Sequence, residues 1–112
     1  MYLIIGTDGA DMESKVAKRF GRAEYYIFYN TESKKFNAIK NNSDHHDYKI
    51  LFQLLDLGAE AFIVGNVGPH AFEIIKTPLT KVYLARGLSA AEAVGELLNG
   101  NLNELTEPTA KK

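Results

Sequence analysis

Apolar residues change period several times along this chain, and each change marks an expected element. Tyr2 to Thr7 is a short aliphatic and β-branched run that stops at Gly6-Thr7-Asp8-Gly9, the pattern of a buried strand closed by turn residues. Glu24 to Asn30 is rich in aromatic and β-branched residues. After Thr31-Glu32-Ser33, the segment Lys34 to Lys40 alternates, so the two form an expected antiparallel hairpin. The period then becomes helical: Ile50, Leu51, Leu54 and Leu55 recur at three- and four-residue spacing, with Gly58 as the stop. Ala61-Phe62-Ile63-Val64 is continuous enough to be a strand buried on both faces, and Lys81-Val82-Tyr83-Leu84 is a further strand. Between them Ala71, Phe72 and Ile75 make a short helix with Pro69 at its first position. The last helix has the fullest set of signals. Ser89 and Glu92 form a capping box, Ala90, Ala93, Val94, Leu97 and Leu98 share one stripe, and Gly100 sits at the end.

The resulting order is β-β-β-α-β-α-β-α, a hairpin followed by β-α-β units with right-handed crossovers. It implies an α/β fold with a mixed five-stranded sheet between helices. Residues 1–102 are expected to form one domain, and Asn103 to Lys112 a flexible tail with little to bury.

Two loops and one turn hold the candidate chemistry. Asp8 to Ala23 is a long polar loop with one expected helical turn near Ser14 to Lys18; Phe20 in it reads as a core plug and Gly21 as an unusual backbone angle. Lys15, Arg19 and Arg22 make it locally cationic, suited to an anion or a partner protein, or simply solvated. Gly65-Asn66-Val67-Gly68-Pro69-His70-Ala71 runs from a strand end into a helix start, where free amides and the helix dipole favour an anionic ligand. A plain tight turn accounts for the same glycines, since neither the full dinucleotide spacing nor a phosphate-loop lysine is there. Asn41 to Asp47 contains His45 and His46 between Asp44 and Asp47, the chain's densest set of metal-ligand types. Adjacent histidines point in different directions, so one of them as a ligand, with His70, competes with a solvated loop in which Asp44 or Asp47 caps the helix.

Composition narrows the function. At 112 residues and 46% hydrophobic, the chain has room for one core. Thirteen basic and fourteen acidic residues give no overall field for nucleic acid or an anionic membrane, so an anion site must be local. No apolar run approaches a bilayer span and Met1-Tyr-Leu-Ile-Ile-Gly is no signal peptide, which gives a cytoplasmic expectation. Without cysteine there is no disulfide and no thiolate ligand, so a metal-sulfur cluster would need ligation supplied from elsewhere. The order of elements is also that of ribonuclease H folds, but the Ala61 to Val64 strand has no carboxylate and the first helix only Asp56, so the carboxylates of two-metal hydrolysis are missing. No serine elbow or obvious nucleophile-base pair is present either.

Several of these residues together resemble a family. Ser14-x-Val16, Phe20-Gly21-Arg22-Ala23 leading into Tyr25-Tyr26-Ile27-Phe28, Val64-Gly65-x-x-Gly68-Pro69-x-Ala71-Phe72, Ala93-Val94 and Gly100-x-Leu102 are similar to the dinitrogenase iron-molybdenum cofactor biosynthesis family, over residues 1 to 102. The resemblance implies a ribonuclease H-like three-layer fold without nuclease activity. It implies a prokaryotic, non-enzymatic accessory protein that binds or carries iron-molybdenum cofactor, or another iron- or molybdenum-sulfur cluster, between donor and acceptor proteins, as a monomer or weak homodimer. For an anionic cluster, His45, His46 and His70 are the candidate metal ligands; Arg19, Arg22, Gly65, Asn66 and Gly68, again with His70, are the candidate contacts to its sulfides. Family members often have histidine immediately before the Phe-Gly pair, where this chain has Arg19. The competing reading is a metal-free regulatory module that binds a small anion or a partner protein through the Gly65 to Ala71 turn.

Overall fold

A computed structural model describes residues 1–42 and 48–109. Strands β1 (Tyr2–Thr7), β2 (Tyr25–Asn30), β3 (Phe36–Lys40), β4 (Ala61–Val64), β5 (Lys81–Leu84) and β6 (Asn103–Glu104) form one mixed sheet in the order β3-β2-β1-β4-β5-β6. Helices α1 (Lys49–Asp56), α2 (Pro69–Ile75) and α3 (Ala90–Leu98) cover it. The β1-β2 and β2-β3 pairs are antiparallel, β1-β4 and β4-β5 parallel, and β5-β6 antiparallel.

The alternating side chains of each strand separate two cores. On one face Ile4, Tyr26, Phe62, Val64 and Val82 pack beneath α1 and α2, which contribute Leu51, Leu54, Phe72 and Ile75. On the other, Leu3, Ile5, Ile27, Ala61 and Ile63 lie beneath Ala90, Ala93 and Val94 of α3. Strand β4, with neighbours on both edges and both faces, is buried throughout, which accounts for its unbroken apolar sequence. Fully burying each large aliphatic or aromatic side chain contributes about 1.5–3 kcal/mol before chain entropy is set against it. Helix α3 has the expected capping box, with Glu92 N donating to Ser89 Oγ at 3.1 Å and Ser89 N donating to the Glu92 carboxylate at 2.8 Å. Gly100, just past its end, has φ +76°, a conformation that a side chain disfavours. No helix among the described residues is long and apolar enough to cross a membrane.

The structure differs from the sequence expectation in four places. A sixth strand extends the sheet: Asn103 and Glu104 pair with Leu84 and Tyr83, and Leu105 N donates to Val82 O, where a flexible tail was expected. The cause is an otherwise open edge on β5, which even a polar segment can satisfy with backbone bonds. The expected helical turn at Ser14–Lys18 is replaced by isolated bridges, Val16 to Thr7 and Lys15 to Ser89. The Asp11 carboxylate accepts the Glu13 amide and the Ser14 hydroxyl, which competes with helix formation. A single 3-10 turn forms further on, at Phe20–Arg22. The second hairpin strand starts at Phe36 instead of Lys34, because Lys34 adopts φ +62° while the Asn30 side chain accepts the Glu32 and Ser33 amides to build the turn. Gly21 does not have a positive φ; a Cβ there would rest 3.7 Å from the Tyr48 ring and 3.8 Å from Ala71.

Candidate functional site

At the carboxyl ends of β1, β4 and β5 the chain crosses over itself, and this crossing assembles most of the residues singled out above. After β1 the segment from Lys15 to Phe20 runs across the strand ends. Ala17 N donates to Gly6 O at 2.8 Å, Val16 N to Leu88 O at 2.8 Å, Asn66 N to Lys18 O at 2.8 Å and Phe20 N to Asn66 O at 2.8 Å. Gly65 is required at this crossing, since a Cβ would overlap the Ala17 carbonyl oxygen. Arg19 therefore bridges Asn66 directly, with its own side chain exposed.

Phe20 anchors the crossing. Its ring is fully buried, edge-on to Tyr26 at 5.1 Å and to Phe62 at 5.9 Å, as the core-plug reading expected. The Tyr26 hydroxyl donates to Phe20 O at 2.6 Å, and burial pushes its phenol well above the usual tyrosine range. A neutral, donating Tyr26 is thus a fixed part of the support.

Asn66 is held on three sides. Besides its two backbone bonds, its side-chain oxygen accepts Arg86 Nε at 3.0 Å and Arg86 Nη2 at 2.6 Å. Arg86 was not among the sequence candidates. The signal for it was positional: it follows β5 by two residues, and a parallel neighbour of β4 must end beside the β4 loop. Of the loop amides expected to be free, Asn66 and Val67 are engaged. Val67 N donates to Thr109 Oγ1 at 2.8 Å, and Thr109 N returns a bond to Val67 O at 3.1 Å. The first-turn amides of α2 at His70 and Ala71 have no intrahelical partner by construction.

His70 is exposed in the first turn of α2, its ring edge-on to Tyr48 at 6.2 Å. Gly21 lies against both Tyr48 and Ala71, so the start of α1, the 3-10 turn carrying Arg22 and the start of α2 meet. The sequence candidates Arg19, Gly65, Asn66, Gly68 and His70 thus belong to one end of the sheet, with Arg22 two residues beyond Phe20. His45 and His46, with the capping alternatives Asp44 and Asp47, lie outside the described residues. Among the described residues no group of three or more His, Asp or Glu is arranged to hold a metal ion. The donor set is an imidazole with guanidinium groups and backbone amides. Such a set suits a ready-formed anionic cluster that brings its own sulfides better than a bare cation, which needs several anionic or imidazole ligands around it.

Comparison with known proteins places the fold in a family. A structure of the orange protein from Desulfovibrio gigas, in its apo form, superimposes with a TM-score of 0.88 at 25% identity, covering 97% of this chain and 96% of that one. A NifB-type protein from Thermotoga, placed in the DUF35 family, gives 0.85 at 36% identity, with 99% and 98% covered. A dinitrogenase-type protein from Methanocaldococcus jannaschii shares the fold, with a TM-score of 0.76 at 17% identity and 96% and 97% covered. No curated protein sequence matches. The family model described as dinitrogenase iron-molybdenum cofactor matches residues 1–100, and with a 36% identical relative along almost its whole length the chain belongs to that family.

Proposed function

We propose that this protein is a non-catalytic carrier for iron-molybdenum cofactor or a related iron- or molybdenum-sulfur cluster, acting between the proteins that build the cluster and those that receive it. The observation that carries the reading is the family match over residues 1–100. The strand order β3-β2-β1-β4-β5 supports the ribonuclease H-like arrangement expected of such proteins. The geometry adds a chemical reason. One sheet end brings together the exposed cations Arg19, Arg22 and Arg86 with the His70 imidazole, beside a loop whose shape is fixed by Gly65 and by the bonds to Asn66. Guanidinium groups donate to cluster sulfides, and a neutral imidazole replaces one labile ligand on a metal. His45 and His46 remain part of the proposal as further ligands, and the carrier is placed in the cytoplasm.

Exchange rather than permanent retention follows from the same chemistry. Imidazole ligands with electrostatic contacts hold a cluster less firmly than a ring of thiolates, which suits hand-over between a donor and an acceptor.

The test is anaerobic titration of the protein with isolated iron-molybdenum cofactor, with an iron-sulfur cluster and with tetrathiomolybdate, followed by gel filtration and metal analysis. Wild type should co-elute with stoichiometric metal. A His45→Ala/His46→Ala/His70→Ala variant should lose it, and Arg19→Ala or Arg86→Ala should weaken it and reduce its salt dependence. Failure of the folded wild-type protein to retain any of the three sinks the carrier reading in favour of a metal-free partner- or anion-binding module.

A further inference from the structure

The two edges of the sheet are finished differently. On the β5 side, β6 and the segment through Leu105 cover the edge with backbone hydrogen bonds. On the other side the sheet order ends at β3, whose residues are exposed except for the half-buried Ile39.

The direction of the unused backbone groups follows from the hairpin register. Asn30 N donates to Lys35 O at 3.0 Å and Asn41 N donates to Glu24 O at 2.9 Å, so these are hydrogen-bonded pairs at the two ends of the ladder. Between them Tyr29 faces Phe36, Phe28 faces Asn37 and Tyr26 faces Ile39. In an antiparallel ladder every second residue turns both backbone groups to its partner strand. Asn37 and Ile39 therefore bond to β2, and Phe36, Ala38 and Lys40 direct their N–H and C=O groups outward. That is a three-residue template for an added strand.

Apolar and charged side chains surround this template. Phe36 is 40% exposed on the face it shares with Tyr29, and on the opposite face Tyr2 and Phe28 stack with ring centres 4.9 Å apart beside an open depression of about 660 Å³ at the hairpin end. Lys34, Lys35 and Lys40 lie along the same edge, and none is in an ion pair among the described residues. Of the hairpin's two acids, Glu32 faces the chain's own amino terminus at 3.4 Å, and Glu24 stands at the Lys40 end in no ion pair among the described residues. Among the described residues the strip thus combines outward strand-pairing groups, exposed aromatic side chains on both faces and lysines that are in no ion pair.

We propose that the β3 edge is a docking strip that takes an extended acidic segment of a partner protein as an added strand, with an aromatic or branched aliphatic side chain of that segment against Phe36. Charge decides the occupant. A second copy of this chain would bring the same three lysines to the strip, and like charges along paired edges oppose association. An acidic strand meets the same backbone template with attraction in place of repulsion. The strip lies on the far side of β2 and β1 from β4 and β5 and does not share the residues of the cluster proposal, so either can fail alone.

The probe is the blocked hexapeptide acetyl-Glu-Val-Glu-Phe-Glu-Val-amide, compared with its counterpart in which every Glu is Lys, in an amide NMR titration of the full chain. The acidic peptide should shift the Phe36, Ala38 and Lys40 amides and slow their exchange, with affinity falling about tenfold when salt is raised to about 1 M. N-methylating the alternate peptide residues that would pair with β3 should abolish binding without touching the protein. Ala38→Pro should do the same, since the lost N–H points away from β2 and the hairpin ladder is kept. Lys34→Glu/Lys35→Glu/Lys40→Glu should reverse the preference to the lysine peptide. Equal binding of both peptides, unchanged binding after N-methylation, no protection of the three amides at millimolar peptide, or sedimentation as a dimer joined through this edge would each overturn the proposal.

Discussion

Tyr26 and Gly65 show how single residues fix the site. The Tyr26 hydroxyl satisfies a buried carbonyl on Phe20, the residue on which the crossing segment turns. Tyr26→Phe leaves that carbonyl only the longer bond from Ala23 N at 3.3 Å and should cost about 0.5–1.5 kcal/mol in urea unfolding, with faster amide exchange at Phe20 and Asn66. An unchanged midpoint would mean that the hydroxyl supports nothing. At Gly65 the constraint is steric, because any Cβ meets the Ala17 carbonyl. Gly65→Ala should destabilise by about 1–3 kcal/mol and weaken the bond from Asn66 N to Lys18 O; a fully native amide spectrum would contradict it. Both residues were legible as types, an aromatic in a strand and a glycine in a turn. Their partners were not, because Tyr26 reaches back over six residues and Gly65 meets a carbonyl contributed by a distant loop. Arg86 is the sharper case: nothing local distinguishes it from a solvated arginine, and only the parallel neighbouring of β4 and β5 brings it to Asn66.

At the scale of elements, local signals were most reliable where the bonds are local. The Ser89 and Glu92 capping box, the Gly100 stop and Pro69 at the start of α2 are all decided within a few residues. Glu92 illustrates the pH dependence that results. Its hydrogen bonds to the Ser89 amide and hydroxyl hold its carboxyl below the usual glutamate range. A carboxyl lowered on folding adds stability above its unfolded pKa, and that contribution disappears as pH falls through the folded value. The Glu92 side-chain carbon should therefore titrate below an ordinary glutamate, and move only part of the way back in Ser89→Ala, which removes the hydroxyl contact but keeps the bond from the backbone amide. The same variant should lose about 1 kcal/mol of stability at neutral pH. The loop after β1 was misread because its bonds are not local. Ser14 O accepts Ala90 N and Met12 O accepts Ala91 N, so the loop is shaped by the helix whose first turn it satisfies.

Across the whole molecule, the least legible part was the stretch after α3. Residues 103–109 are polar and lack a period, yet they complete the β5 edge and return to the β4-α2 loop, where Thr109 closes a two-bond clasp on Val67. Thr109→Val removes the acceptor for Val67 N and should raise its exchange rate by at least about fivefold, equivalent to about 1 kcal/mol of local opening. Truncation after Leu102 should do more, exposing the β5 edge and promoting association at high concentration; unaltered exchange at Val67 and Val82 in that variant would show that the clasp is ornamental. The sequence by itself determined the α/β class, five of the six strands, all three helices and the family, because alternation, helical spacing, caps and short motifs are written in neighbouring residues. Only the tertiary structure decided which carbonyl forbids a side chain at Gly65, that Arg86 holds Asn66, that the last polar residues form a strand, and which sheet edge stays open. Each of these depends on segments tens of residues apart meeting at one place, and no local pattern encodes where a distant segment will lie.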